Sequence, residues 1–149
     1  MTDPLIAIVD GQDAAATHAK VFDGLRDFNR RHAAPPDRAP LVVSASATNG
    51  DVIAGLVGET AWRWLFVDLL WVDEGHRRQG IGRRVLRFAE AEARRRNCIG
   101  CYLDTFDFQA RPFYEREGYS VFGTLADYPV GHRRFFLQKR FIDAPHDGA

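Results

Sequence analysis

The chain has 149 residues, of which 27% are charged and 46% hydrophobic, and its 20 basic and 20 acidic side chains give zero net charge. This length suits one folded domain and excludes a multidomain protein. Zero net charge argues against a nucleic-acid partner, two cysteines are too few for a disulfide-rich scaffold, and no apolar run reaches the ~18 residues of a membrane span. The amino terminus lacks the features of a secretory signal, so we expect a cytoplasmic protein without a membrane partner.

The first half of the chain predicts a strand, a helix and a three-stranded meander. Leu5-Ile6-Ala7-Ile8-Val9 is a short apolar run before Asp10-Gly11, which predicts a strand, and residues 13–32 have helical spacing. Prolines within residues 33–40 predict a loop. The antiparallel strands of the meander are expected at 41–46, 52–59 and 62–72, with a turn at Asn49-Gly50 and a second connection at 58–61.

The second half predicts a crossover connection followed by a hairpin. A polar, glycine-rich segment at 73–82 leads into a helix at 83–96, and the strand after that helix is expected to run parallel to the strand before it. The remaining expected elements are strands at 98–105, 119–124 and 133–141 and a short helix at 109–117. We therefore expect one mixed α/β domain over residues 1–142, with a mostly antiparallel sheet of six or seven strands, and a flexible tail over 143–149.

Residues 77–82 form the segment most informative about chemistry. Glycines between a strand and a helix let a ligand approach the backbone, and the first N–H groups of the helix remain unpaired. Arg77, Arg78, Arg83 and Arg84 add cationic donors that suit a pyrophosphate. A P-loop is excluded because no Lys-Ser or Lys-Thr pair follows, and a dinucleotide fingerprint is excluded because its third glycine is missing. The structural alternative is a glycine-rich turn that caps an ordinary helix.

The pattern Arg77-x-x-Gly80-x-Gly82 resembles the acyl-CoA signature of the GCN5-related N-acetyltransferase (GNAT) family. A second block, Ala110-x-x-Phe113-Tyr114-x-x-x-Gly118-Tyr119, is similar to another motif of that family. The resemblance implies a GNAT-like fold whose middle strands splay at the acyl-CoA site, with acetyl-CoA as co-substrate. The residues expected to bind it are Leu70 and Val72 on the strand and Arg77, Arg78, Gln79, Gly80, Ile81, Gly82 and Arg83 in the loop.

Two catalytic residues are expected. The resemblance implies that the Tyr114 hydroxyl protonates the departing CoA thiolate, whereas the alternative is an aromatic side chain that only packs in the core. Asp68 stands inside an apolar strand, where alternation predicts that it shares a face with Phe66, Leu70 and Val72. Its functional role would be that of a base for the incoming ammonium, directly or through water. The alternative is a carboxylate satisfied by a backbone group or by a neighbouring arginine, such as Arg63 or an arginine across the sheet.

One position departs from the family pattern. The family often has an asparagine three residues before the motif alanine, where this chain has Asp107, and Gln109 stands next to that alanine. Either side chain could replace the asparagine in holding the pantetheine arm.

The resemblance implies an enzyme that transfers an acetyl group from acetyl-CoA to a primary amine by direct attack, with no metal and no cysteine nucleophile. The alternative from another class is a non-catalytic acyl-CoA-binding module. Cys98 and Cys101 are expected to be small buried residues on opposite faces of a strand rather than a redox or metal site, and the five histidines have no metal-ligand spacing.

The acceptor is expected to be a small-molecule amine or a peptide amine. Residues 33–40, Trp62, Trp64 and the turn at 126–132 are expected to line its site. The aromatic residues are also compatible with a homodimer.

Overall fold

The computed structural model describes residues 2–141. It divides into two compact units, Met1–Pro35 and Pro36–Ala149. The first unit contains helix α1 (Gly11–Arg30), close to the helix predicted for residues 13–32. The tail predicted for 143–149 lies outside the described residues, and the single domain over 1–142 stays a prediction.

The strand predicted for Leu5–Val9 is wrong, because residues 2–10 have no regular secondary structure. An apolar run predicts a strand only in part, since a strand forms where a neighbouring strand takes up its backbone hydrogen bonds. Local sequence cannot supply that neighbour.

The second unit is built on a six-stranded mixed sheet with strand order β1-β2-β3-β4-β6-β5. Every neighbouring pair is antiparallel except β3 and β4, which are parallel, so the predicted sheet type is confirmed. Its strands are β1 (Ala39–Ser46), β2 (Val52–Ala61), β3 (Trp64–Val72), β4 (Gly100–Phe106), β5 (Ser120–Ala126) and β6 (Arg133–Arg140).

The turn between β2 and β3 lies later than the sequence predicted. Trp62 and Arg63 form it, and both have positive φ (46° and 63°), as the two central residues of a type I′ hairpin turn do. Gly58, which suggested a turn nearer to it, instead lies inside β2, where a β-carbon would overlap with the carbonyl oxygen of Phe66. A glycine in a strand can mark a close backbone approach as readily as a turn.

Two helices complete the second unit: α2 (Ile81–Arg95), which connects β3 to β4, and α3 (Arg111–Arg116), which connects β4 to β5. One face of α2 carries the buried Val85, Leu86, Ala89 and Ala93, which pack into the core with side chains of the sheet. This is the face that the helical spacing predicted. No helix within residues 2–141 has the length and hydropathy that crossing a bilayer requires.

Strands β3 and β4 pair over only half of their length. The parallel register runs from Trp64 opposite Gly100 to Val67 opposite Leu103 and then stops, although both strands continue. A β-bulge in β3 lies at the same place: Leu69 pairs with Val57 and Val67 pairs with Gly58, which leaves Asp68 as the extra residue. A bulge bends and twists its strand. The predicted splay between the middle strands is therefore present.

We expect Gly58→Ala to lower the free energy of unfolding by about 1–3 kcal/mol, because the added β-carbon overlaps with backbone at the bulge. Gly123→Ala on β5 is the matched control, since its β-carbon would lie 3.8 Å from Phe136 Cδ2, an ordinary contact. Urea denaturation measures both. Equal stabilities of the two variants would show that the close approach at Gly58 carries no constraint.

Candidate active site

A cleft of about 1040 Å³ lies where β3 and β4 separate. Three segments form it: the second half of β3, the loop that enters α2, and the region around α3. The lining residues are Leu70, Trp71, Val72, His76, Arg77, Arg78, Gly80, Ile81, Gly82, Arg83, Arg87, Phe108, Gln109, Ala110, Phe113, Tyr114, Arg116 and Glu117. The structure thus brings together most of the residues predicted for acyl-CoA binding, whereas Gln79, one of the described residues, is not among those that line the cleft.

The loop at 77–82 has the conformation that an anion site needs. Gly80 is the N-cap of α2 and lies in the left-handed region (φ 75°), and no side chain within residues 2–141 caps this end of the helix. The N–H groups of the first turn are therefore open to a ligand, and the helix dipole favours a negative one. Packing within the chain does not require a glycine at position 82. A β-carbon there would make only ordinary contacts, at 3.4 Å from Val72 Cγ2 and 3.9 Å from Phe113 Cζ.

Arg77 fixes the loop against the strand before it. Its Nε donates to the carbonyl oxygen of Val72 at 3.1 Å, at the last residue of β3. A guanidinium has further N–H groups that can bind an anion while Nε is engaged. Arg77 therefore has a positioning role in addition to the phosphate contact that the motif implies.

The cleft has a strong excess of positive charge. Arg77, Arg78, Arg83, Arg87 and Arg116 line it, whereas the acidic lining residue is Glu117, which accepts from Arg87 Nε at 2.8 Å. Arg87 and Arg116 were missed by the sequence analysis. For Arg87 a signal existed, because it lies one helical turn after Arg83 and so on the same side of α2. The cluster suits a polyanion although the whole chain has no net charge.

The backbone of β3 offers donors to the gap. The Asp73 N–H donates to Ile53 O on β2 at 2.8 Å. Because successive N–H groups of a strand point to opposite edges, the amides of Val72 and Leu70 point away from β2. They face the side on which β4 no longer pairs with β3. This geometry suits a carbonyl oxygen in the gap.

Tyr114 lies on α3 with its ring buried and its side chain lining the cleft. Burial raises the pKa of Tyr114 to about 12, with further contributions from Cys101 and Asp104. The hydroxyl therefore keeps its proton at neutral pH. It makes no hydrogen bond within residues 2–141, so it is available to a group in the cleft.

The prediction that Asp68 shares one face of β3 with Phe66, Leu70 and Val72 is wrong, whereas its role as a base stays a prediction. Asp68 is exposed and is not among the described residues that line the cleft. The bulge breaks the alternation on which the expectation depended. Leu70 packs against the core, whereas Phe66 packs against Tyr102 on the other face, with 4.9 Å between ring centroids. The carboxylate has no hydrogen bond or ion pair within residues 2–141, so the structural alternative is not found there either.

The two candidates for the missing family asparagine are placed differently. Gln109 lines the cleft, and its Oε1 accepts from the Phe106 N–H (3.0 Å) and the Thr105 hydroxyl (3.1 Å), which leaves its amide nitrogen for a ligand. Asp107 binds His132 Nδ1 (2.9 Å) and the Arg133 N–H (3.0 Å) instead.

Two of the three regions predicted to line the acceptor site lie at the wrong end of the sheet. Trp64 begins β3, about 20 Å along the strand from Leu70 at the usual rise per residue. Residues 36–40 lie beside it, since Pro36 O accepts from the Trp62 N–H and Ala39 pairs with Thr60. The turn at 126–132 lies at the cleft end, where His132 contacts Phe108.

Cys98 and Cys101 are free and buried, as expected. Burial raises the pKa of both thiols, that of Cys101 to about 12, so neither is a ready nucleophile. Cys98 precedes β4, which begins at Gly100, so the expectation of opposite strand faces does not apply to it. Among residues 2–141 there is no group of three or more His, Cys, Asp or Glu side chains that could hold a metal ion.

Comparison with known proteins gives related acetyltransferases. The chain is 47% identical over 104 residues to blasticidin-S acetyltransferase of Streptomyces morookaense, which covers 67% of this chain and 76% of that protein. It is 39% identical over 132 residues to the acetyltransferase Atu2258 of Agrobacterium fabrum, covering 89% and 96% of the two chains. The crystal structure of an acetyltransferase from Bacillus cereus superposes with a TM-score of 0.83 at 28% identity, covering 93% and 98%.

These relatives favour catalysis over the non-catalytic binding module that the sequence left open. The sequence pattern of the Acetyltransferase (GNAT) family matches residues 9–119, which include the glycine-rich loop and Tyr114. The chain therefore belongs to the GNAT family and is an acetyl-CoA-dependent N-acetyltransferase.

Proposed function

We propose that this enzyme acetylates the primary amine of a small molecule, with the reacting thioester held in the gap between β3 and β4. The observation that supports this most strongly is the cleft itself, which joins an open helix N-terminus, outward-facing strand amides and a protonated tyrosine. The pyrophosphate of acetyl-CoA binds at 77–82, and the pantetheine arm extends along β3 toward Tyr114.

The reaction is a direct displacement. The acceptor ammonium loses a proton, and its nitrogen attacks the thioester carbonyl carbon. The amides of Leu70 and Val72 stabilise the oxyanion that forms, because they need no reorganisation to meet it. The carbon–sulfur bond then breaks, and Tyr114 donates its proton to the thiolate. The nitrogen releases its second proton to solvent as the amide forms, and Tyr114 regains a proton from solvent.

Asp68 is the proposed acceptor of the amine proton, by way of water. Its exposed position on the bulge supports an indirect role, since the carboxylate is not among the residues that line the cleft. Its lack of an ion-pair partner within residues 2–141 leaves the carboxylate available for this role.

The first acceptor to test is blasticidin S, because a relative that shares 47% identity over 104 residues is named for its acetylation. Purified protein, acetyl-CoA and a panel of small amines and peptides are assayed by release of free CoA thiol. Release with blasticidin S or another small amine supports the proposal. Release with peptides alone would instead assign peptide amines as the substrate class. The homodimer stays a prediction.

We expect Gly82→Asp to abolish CoA binding, because its side chain occupies the space that the phosphates need and adds like charge. Gly82→Ala is the matched control for folding, since its β-carbon meets only ordinary contacts. Titration calorimetry with CoA measures both variants. Unchanged affinity in the aspartate variant would place the phosphates elsewhere.

We expect Tyr114→Phe to lower the rate of acetyl transfer by about 10²–10⁴-fold while CoA affinity stays nearly constant, because a general acid acts in the transition state and not in binding. Stability should change little, since the hydroxyl has no hydrogen bond to lose within residues 2–141. Because its pKa is raised to about 12, the wild-type hydroxyl stays protonated through neutral and mildly alkaline pH. The wild-type rate should therefore not decline in this pH range through ionisation of Tyr114. Wild type and the phenylalanine variant should have the same pH dependence there.

The result that would exclude Tyr114 as the acid is a phenylalanine variant within twofold of wild type when chemistry limits the rate. Water would then protonate the thiolate. A more acidic thiol ester gives an independent check, because a better leaving group should recover part of the loss.

We expect Asp68→Asn to lower kcat/KM by roughly 10²-fold, the lower end of the range for a lost general base. The fold and CoA affinity should be unaffected, because the side chain is exposed. Asp68→Glu, which keeps a carboxylate, should retain more activity than the asparagine variant. If both variants match wild type in steady-state assays, the proton leaves the amine by another route.

A further inference from the structure

Four side chains at the end of β4 form an aromatic shelf, defined here as Phe106, Phe108, Tyr128 and His132. The ring of Phe106 is nearly parallel to that of Phe108 (5.2 Å between centroids, 7° between planes) and to that of Tyr128 (6.1 Å, 5°). His132 stands edge-on to Phe108 at 4.9 Å. Phe108 is 57% exposed and Tyr128 48% exposed, so much of the ring surface contacts water.

Charged side chains next to the shelf hold three of its four residues in place. The Arg134 guanidinium lies 5.8 Å from the Phe106 centroid and 5.0 Å from that of Tyr128, and Asp104 pairs with it at 2.9–3.0 Å. His132 Nδ1 lies 2.9 Å from Asp107 Oδ1. An ionised carboxylate only accepts, so the imidazole donates through Nδ1 and its orientation is fixed. These contacts restrict the positions of Phe106, Tyr128 and His132.

The shelf is continuous with the cleft. Phe108 belongs to both, since it lines the cleft that Tyr114 and Leu70 also line. Because β3 and β4 are parallel, their carboxyl ends meet at the same edge of the sheet. The shelf at the end of β4 therefore lies beside the half of β3 where the thioester is proposed to bind.

We propose that the shelf binds a planar aromatic or heteroaromatic group of the acceptor amine, a specificity that rests on the proposed function. Phe108 and Tyr128 expose about half of their surface, so packing within the described residues leaves ring area available to a ligand. Aligned, exposed rings favour another flat ring stacked on them, because stacking gains more than the apolar area it buries. A saturated ring of equal size gains only the burial.

Matched pairs of amines test this directly: benzylamine against cyclohexylmethylamine, and 2-phenylethylamine against 2-cyclohexylethylamine. The members of a pair differ in planarity and π-electrons but not in chain length. We expect wild type to prefer the planar member by about 3- to 10-fold in kcat/KM, the range that one aromatic pair supplies. A merely hydrophobic surface would show no preference or would prefer the more apolar cyclohexyl compounds.

The variants Phe108→Leu and Tyr128→Leu should each reduce the preference toward one, whereas Tyr128→Phe, which keeps the ring, should retain it. Phe88→Leu is the control, an equally conservative change at a 67%-exposed phenylalanine on α2 outside the shelf. CoA affinity by calorimetry should be the same in wild type and in the variants at Tyr128 and Phe88, which are not among the residues that line the cleft. This separates acceptor recognition from damage to the cofactor site.

Turnover of these amines without a planar preference, or a preference that survives both leucine variants, would overturn the inference and leave the proposed function intact. Turnover of saturated or peptide amines alone would also overturn it. If CoA binds but no amine of any kind is acetylated, the proposed function fails, and the inference fails with it.

Discussion

The site depends on the early end of pairing between β3 and β4. The register stops at Val67 and Leu103, and the bulge at Asp68, which Gly58 makes room for, lies at the same point. Unpaired strand amides are costly unless another group accepts their hydrogen bonds. The gap therefore leaves donors for a carbonyl oxygen, and it lies at the cleft that Tyr114 and the loop at 77–82 also line.

Charge is arranged locally rather than overall. The chain has no net charge, yet five arginines line the cleft, beside the positive end of the α2 dipole. Glu117 is the acidic residue among the described residues that line the cleft, and it is held by Arg87. A polyanionic co-substrate thus meets a cluster of positive charge in the cleft. This arrangement also explains why zero net charge does not exclude a phosphate ligand.

A buried hydrogen-bond network lies next to Tyr114, the candidate general acid. The Tyr119 hydroxyl donates to Glu90 at 2.7 Å, and Lys139 Nζ donates to the same carboxylate at 3.0 Å. Burial, together with Cys101 and Glu90, raises the pKa of Tyr119 far above its usual value, so it remains a donor. Its ring lies edge-on to Tyr114 with 5.8 Å between centroids. Tyr114 is thereby fixed against a satisfied core while its hydroxyl remains free for the cleft.

The sequence by itself predicted the meander, the crossover helix and the glycine-rich loop, because glycine conformations and apolar periodicity are local properties, and its two motifs resembled those of the family. It did not determine which segments of the chain lie next to each other in the fold. The run at 5–9 formed no strand, since strand formation needs a neighbour, and Trp64 fell at the far end of β3. Only the tertiary structure revealed the bulge at Asp68, which breaks the alternation of side chains along β3. An extra residue in one strand can be recognised only from its register with the neighbouring strand. The tertiary structure also brought Phe108 and His132 together from segments far apart in the chain, by pairing β4 with β6.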